Sequence, residues 1–544
     1  MSQLPWWKTT AIYQIYPRSY NDSNSDGIGD IPGIIAKLDY IRDLGFETIW
    51  VSPFFASPQG DWGYDVSGYR EIAPEYGTLS DAEQLIEEVH QRGMKVLFDL
   101  VLNHTSDQHP WFIESSVSKN NPKSDWYIWR DGKGPGRPPN NWKALPGGSG
   151  WHYHPARDQW YYASFLPFQP DLNWRNPAVK QEMFRIAKFW LDKGVDGFRL
   201  DIFHVIYKDA EFRDNPFHWS YLPKDDEVGF FTEWKYTINQ PETVRLAEEL
   251  RLQLDQFSPV RIMLGEIFGE DSQIKKYLGD GHNRMHLMFL WDLMDFQFSA
   301  KYFWKVLNKY ETTYPQPYTP VLVLGNHDSR RWIDRIGGDI QKAKLLVLLQ
   351  LTARGVPVVY YGEEIGLPEG QIAARESLDP IGQRYAWAPN WLLKALNLYV
   401  NRDNCRTPMV WDSSAQGGFT QSNVQPWLPL SAHPKIANAA DEDQDPDSLL
   451  NWYKSLLRLK REFPAINNAS LKLYPPELAR KGILGYSRQS DGWNFIILIN
   501  FSSKQVVIPQ NTIAELLTTG YVETTAGKIT LGKYSGGIFT VSSI

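Results

Sequence analysis

Eight short apolar, β-branched runs recur along the chain: AIYQIYP (11–17), ETIWVSP (47–53), MKVLFDLVL (94–102), VDGFRLD (195–201), RIMLGEIF (261–268), HLMFLWDL (286–293), PVLVLGN (320–326) and VPVVYYGEE (356–364). Runs that stay apolar instead of alternating with polar residues read as strands buried on both faces. Between them lie segments with helix-spaced apolar residues, such as IIAKLDYIRDLG (34–45) and SDAEQLIEEVHQRG (80–93). The second opens on Ser80 as an N-cap, carries Glu83 three residues later and stops at Gly93. Strands alternating with helices predict an α/β fold, a (β/α)8 TIM barrel. An open doubly wound sheet is the alternative, but no Gly-rich phosphate turn follows the first run.

Two intervals break the rhythm. Between His104 and Leu172 nearly seventy residues rich in Pro, Gly, Asn and Trp far exceed an ordinary βα loop, which predicts an inserted subdomain over 104–172. A second irregular stretch, 367–440, follows the eighth run. After a helical segment at 448–464 the pattern shortens to KGILGYSRQ, WNFIILINFS, KQVVIP, KITL and GGIFTV, strands of an antiparallel β domain over 466–544. The barrel is then assigned to 1–103 and 173–465.

At 544 residues the chain exceeds one ordinary core, in keeping with several structural units. Its net charge of −7, from 56 basic and 63 acidic residues without a block of either sign, argues against nucleic acid or an anionic membrane as partner. Cys405 is the one cysteine, so neither an intramolecular disulfide nor a cysteine-based zinc site is expected. No signal-peptide pattern opens the sequence and no run reaches the ~18 apolar residues of a membrane span. A cytoplasmic enzyme with a small-molecule substrate is expected; oligomeric state is left open. The 23 tryptophans, several in loop-like surroundings such as WYIWRDGKGPGRPPNNW (126–142), suit either a sugar-binding cleft or the core of a large protein.

The polar residues of the runs concentrate where the chain leaves the sheet, in DLVLNH (99–104), GFRLD (197–201), GEIF (265–268) and LGNHD (324–328). Parallel strands would gather these groups at one rim, the rim at which such barrels carry their active sites. Asp201, Glu266 and Asp328 then supply a nucleophile, an acid and a further carboxylate, the set that glycosidic bond cleavage needs. Arg199 lies two residues before Asp201 and so points to the same face, where a guanidinium holds a carboxylate ionised and oriented. Glu266 sits among apolar neighbours, where desolvation favours the protonated form a general acid requires. A zinc reading of His104 and His327 is weaker, because they lie on separate strands without zinc-site spacing.

These four motifs match the signature regions of the α-amylase family of retaining glycoside hydrolases. WWKTTAIYQIYPRSYNDSNSDGIGDIPGI, GYDVSGY, QPDLNW (169–174), GVPVVYYGEEIG and RDNCRTPMVWD (402–412) resemble its α-glucosidase and oligo-1,6-glucosidase branch, over essentially the whole chain. The resemblance implies Asp201 as nucleophile, Glu266 as acid/base and Asp328 as the carboxylate that stabilises the distorted transition state. It implies His104, Arg199 and His327 as ligands of the reacting glucose, Tyr64 as its stacking platform, and Asp61 with Arg402 as the pair closing the pocket, with Arg406 a nearby alternative to Arg402. The activity implied is exo-cleavage of short α-glucosides, with transglucosylation where an acceptor sugar replaces water. The alternatives are a sucrose isomerase or transglucosidase of the same family, whose arginine-rich motif is matched only by LNLYVNRDNCR (396–406), and a catalytically silent transporter-associated relative, which the intact carboxylates oppose.

Asp22, Asn24, Asp26, Ile28 and Asp30 space oxygen donors at every second position around a glycine turn, like a short calcium loop, though without the closing glutamate of an EF-hand. The branch holds a structural Ca2+ or Mg2+ there, through those four side chains and the Ile28 carbonyl. Ile202, directly after the nucleophile, occupies a position that in the branch is often valine in α-1,6-preferring members, and with QPDLNW it implies isomaltose cleavage.

Overall fold

The computed structural model describes residues 4–222, 227–389, 391, 393, 398–433, 437–463, 466, 469–490, 493–510, 513–525 and 527–541. Leu396 and Asn397, at the start of the segment compared with the arginine-rich motif, lie outside them, as does Pro464. All eight predicted strands are present: β1 (Ile12–Ile15), β2 (Thr48–Val51), β3 (Lys95–Leu100), β4 (Gly197–Leu200), β5 (Ile262–Gly265), β6 (Leu287–Leu290), β7 (Pro320–Val323) and β8 (Val356–Tyr360). They form a closed barrel in which each strand lies beside its neighbour in sequence, β8 completing the ring against β1. Each is shorter than its apolar run. No described helix is long and apolar enough to cross a membrane.

The chain divides into two compact units. The first comprises Trp50–Gln91 and Lys95–Phe289. In it β3, β4 and β5 run parallel, with Asp99 opposite Arg199 and Arg199 opposite Leu264. Helix α1 (Leu79–Gln91) buries Ala82, Leu85, Ile86 and Val89. Its cap is not the expected Ser80–Glu83 pair: Asp81 N donates to Thr78 Oγ1 (3.3 Å) and Thr78 N to Asp81 Oδ2 (2.7 Å), a reciprocal box begun two residues earlier. Gly93 follows the helix at φ +71°, the left-handed stop the sequence predicts. Helix α2 (Pro177–Asp192) is capped by Asn176 and buries Val179, Met183, Ile186, Ala187, Trp190 and Leu191 along one stripe. Within 104–172 a small antiparallel sheet joins Trp129–Arg130, Gln159–Tyr162 and Trp151–His154. Its tryptophans turn inward: Trp142 and Trp151 pack with Ile128 and Tyr162, and Trp129 is buried as well. Here the core reading of the aromatic-rich segment holds.

The second unit comprises Met1–Ile49, Arg92–Met94 and Leu290–Ile544. The apolar stretch after β1 forms two helices instead of one, Ile31–Ala36 and Leu38–Leu44, parted at Lys37, whose φ and ψ of −110° and 7° leave the helical region. Helix α3 (Ile340–Thr352) is buried from Leu345 to Thr352 without a polar face. That composition follows from being covered on two sides: Gln350 Nε2 donates to Leu322 O and Val358 O of the barrel (3.0 Å each), and on the C-terminal sheet Thr352 Oγ1 lies 2.6 Å from Tyr486 Oη. The C-terminal strands form an antiparallel sheet of five, ordered Ser470–Leu473, Ile483–Ser490, Trp493–Asn500, Ser535–Val541 and Ile513–Thr519. A sheet of three faces it through a core that includes Ile483, Ile496, Ile529 and Phe539.

Candidate active site

In the first unit one guanidinium organises the acids. Arg199 lies inside β4 with its side chain 2% exposed. Its Nη1 bonds Asp99 Oδ1 (2.9 Å) and Asp201 Oδ1 (2.8 Å), and its Nη2 pairs with Glu266 Oε2 (2.5 Å). Asp201 follows β4 and Glu266 follows β5, and the strand register that sets Arg199 between Asp99 and Leu264 brings all three carboxyls to it. Asp99 also accepts from Trp50 Nε1 and Tyr64 Oη, each at 3.2 Å, while the Ile202 amide donates to Glu266 Oε2 (3.0 Å).

Three carboxyls share a single cation, so they cannot all ionise freely. Burial pushes Asp201 well above the ordinary aspartate range; Arg199 opposes that shift and the Glu266 and Asp99 charges reinforce it. Asp99 is pushed up to about 6, again chiefly by burial and against Arg199. The cluster therefore keeps a proton at pH values where free carboxyls have lost theirs. Arg199 favours the ionised form of Asp201, as the sequence leads one to expect, while desolvation and two like charges act against it.

His104 is buried, its Nδ1 3.2 Å from Asn103 Nδ2, and burial lowers its pKa to about 4, so the ring is neutral. Tyr64 is buried beside Arg199, whose guanidinium carbon lies 5.8 Å from its ring centroid. Asp61 is buried and accepts from Gln169 Nε2 at 3.1 Å.

In the second unit Asp328 follows β7 with its side chain 35% exposed. Its Oδ1 accepts from Arg406 Nη2 (2.6 Å) and Arg402 Nη1 (3.1 Å), and its Oδ2 lies 3.1 Å from His327 Nε2. The His327 ring is held by Gln14 Nε2 at Nδ1 (2.8 Å) and stacks on Tyr16 with 5.9 Å between centroids. Arg402 also grips Asp379 (2.6 Å). Burial raises the Asp379 pKa, but Arg402 outweighs it and holds the carboxyl below its usual range. Arg402 and Arg406 thus both reach Asp328. Asp379 carries no motif signal, and Tyr16 and Gln14 lie in the AIYQIYP run with nothing there to assign them a role; Asp99 stands inside DLVLNH, and only the strand register shows that it faces Arg199.

The loop from Asp22 to Asp30 turns its oxygens onto its own backbone. Asp22 accepts from the amides of Asn24, Ser25 and Gly27, Asn24 from Asp26, Asp26 from Ile28, and Asp30 from Ser23 and Gly33. The donor set is oxygen only, which suits a hard cation. Among the described residues no three carboxylate, imidazole or thiol groups converge as metal ligands.

The family model for the α-amylase catalytic domain matches residues 14–469. An oligo-1,6-glucosidase of Parageobacillus thermoglucosidasius is 37% identical over 547 residues, covering 95% of each chain. Among solved structures, an α-glucosyl transfer enzyme superposes with a TM-score of 0.89 at 36% identity, covering 99% of this chain and 100% of its own. The trehalulose synthase MutB from Pseudomonas mesoacidophila MX-45 does so at 0.88 and 32%, with the same coverage. With its closed barrel and its acids at the ends of β4, β5 and β7, the chain belongs to the α-amylase family of glycoside hydrolases.

Proposed function

We propose that the protein is a retaining, exo-acting α-glucosidase that releases glucose from the non-reducing end of short α-glucosides, isomaltose among them. The observation that carries this reading is that Asp201 and Glu266, leaving adjacent strands, contact the two terminal nitrogens of one buried guanidinium. Asp201 attacks the anomeric carbon as Glu266 gives its proton to the departing glycosidic oxygen, forming a glucosyl ester on Asp201. Glu266 then takes a proton from water, which attacks the same carbon, frees glucose and restores the Asp201 carboxylate. Asp328, steadied by Arg402 and Arg406, stabilises the positive charge that develops on the sugar ring. His104 and His327 bond glucose hydroxyls, Tyr64 stacks on the ring, and Asp61 with Arg402 recognises the terminal glucose, which makes starch a poor substrate. The likeness to an enzyme named for α-glucosyl transfer supports transglucosylation as a second outcome of the same intermediate.

The loop from Asp22 to Asp30 is proposed to bind a structural Ca2+ or Mg2+, its oxygen-only donors at alternate positions being the support. A cytoplasmic location belongs to the same reading, supported by a chain with one buried thiol, Cys405, and no disulfide. The test is to follow isomaltose, maltose, sucrose and nitrophenyl α-glucoside by proton NMR. Release of α-glucose before mutarotation supports the proposal. First release of β-glucose would contradict retention, and conversion of sucrose mainly to an isomeric disaccharide would favour the isomerase alternative.

A further inference from the structure

The QPDLNW segment lies against the end of β3: His104 and Asp171 form an antiparallel bridge, and Leu172 N donates to Asn103 O at 2.9 Å. This pairing buries a charged pair beside a candidate sugar ligand. Asp171, fully buried, pairs through Oδ2 with Lys208 Nζ and accepts from Ser164 Oγ (2.6 Å). Its Oδ1 accepts from Ser164 N (2.8 Å) and from Asn103 Nδ2 (3.0 Å). Lys208 Nζ also donates to Asn103 Oδ1 (2.7 Å). The Asn103 amide is therefore clamped end to end, because an ammonium only donates and a carboxylate only accepts. A flipped amide would set its NH2 against the ammonium and its oxygen against the carboxylate, losing both charge-assisted bonds.

With the amide so fixed, it is Nδ2 that meets His104 Nδ1, at 3.2 Å. An NH2 group cannot accept, so Nδ1 must. We propose that Lys208, acting through Asp171 and Asn103, fixes His104 as the tautomer that carries its proton on Nε2. His104 then presents a donor to a hydroxyl oxygen of the reacting glucose, and Lys208 is a positioning residue separated from the substrate by Asn103 and His104. Burial keeps the ring neutral and Lys208 acts the same way, against the raising effects of Asp171 and of a backbone contact with Tyr64, so a tautomer choice exists to be made. Lys208 also lines a cavity of about 230 Å³ with Arg130, Asn173, Trp174, Tyr207 and Phe212, which offers a small amine a way in if the lysine is truncated.

The sugar-facing role rests on the glucosidase reading, but the tautomer does not, and the two are read separately. Histidine-selective 15N labelling, with His104 identified by the signal lost in His104→Gln, should show Nε2–H in the native chain. Lys208→Ala should lose that preference, kcat/KM should fall roughly three- to tenfold, as expected for one weakened hydrogen bond, and ethylammonium should restore both. Lys208→Arg should keep the native tautomer. Asn103→Ala leaves the Lys208–Asp171 pair intact and should also lose the preference, which covers the case in which Lys208→Ala does not fold. Nδ1–H in the native chain, or a native His104 signal in folded Lys208→Ala or Asn103→Ala, overturns the inference whatever the enzyme hydrolyses. A native tautomer pattern as described, in a chain that cleaves no α-glucoside, would instead count against the glucosidase reading alone.

Discussion

Ile202 is a β-branched residue held at φ 29° and ψ 46°, directly after the candidate nucleophile. Left-handed backbone costs a residue with a Cβ roughly 1–2 kcal/mol, and more for a β-branched one. The strain persists because the side chain is buried with Val205, Trp234 and Ile238, and its amide is held by Glu266. Truncation to alanine should cost roughly 2–5 kcal/mol for the lost methyl and methylene groups and their cavity. Glycine removes one carbon more, yet relieves the backbone strain. In ordinary helix or strand positions glycine is less stable than alanine by roughly 0.5–1 kcal/mol; at 202 the order should reverse by about 1 kcal/mol. For a chain of this length that is only roughly 1 °C in Tm, so the urea midpoint is the better readout. Both variants remove the side chain that directly follows the candidate nucleophile and should shift the isomaltose-to-maltose ratio of kcat/KM by about 1–3 kcal/mol. Alanine more stable than glycine would refute the strain argument, and an unmoved ratio would show that Ile202 does not set linkage choice.

Four further outcomes are expected. Asp99→Asn removes a negative charge from the Arg199 cluster, so the acid limb of kcat/KM, set by ionisation of the raised Asp201, should move to lower pH; an unmoved limb would show that Asp99 and Asp201 are not coupled. Glu363 is pushed up to about 8 by burial, so its contribution to stability is full below its unfolded value near 4.5 and is lost as pH rises through about 8. Glu363→Gln should therefore gain stability relative to the native chain between those pH values, and a pH-independent difference would refute it. Millimolar calcium should raise Tm over chelator without altering the pH–rate profile, because only the folded loop presents the ligands; equal Tm values would count against an occupied site. Azide should rescue Glu266→Ala with an activated leaving group but not Glu266→Asp, and failure to rescue either would remove Glu266 as acid/base.

The barrel was legible because its strands are buried on both faces and so stay apolar until the chain leaves the sheet, as GFRLD and GEIF do. Asp201, Arg199 and Glu266 were legible for the same reason. What the sequence conceals is register: nothing in DLVLNH says that Asp99 stands opposite Arg199 and shares its charge. Nor does a single strand reveal how burial and neighbouring carboxyls tip Asp201 toward its protonated form. Asp379 meets Arg402 and Gln14 meets His327 across separate segments of the chain, and no local pattern pairs them. Cap positions slip by a residue or two where several polar side chains compete, as Thr78 and Ser80 do. The core-filling role of Trp142 and Trp151 depends on a small sheet whose strands are too short to announce themselves.

The central claim is that Asp201 becomes covalently glucosylated during turnover. A 2-deoxy-2-fluoro-α-glucoside with an activated leaving group slows the second step and lets the ester accumulate. After rapid quenching and peptic digestion, mass spectrometry should find one fluoroglucosyl adduct on the peptide carrying GFRLD, at Asp201. An adduct on Glu266 or Asp328, or turnover of the probe with inversion and no adduct, would contradict the account.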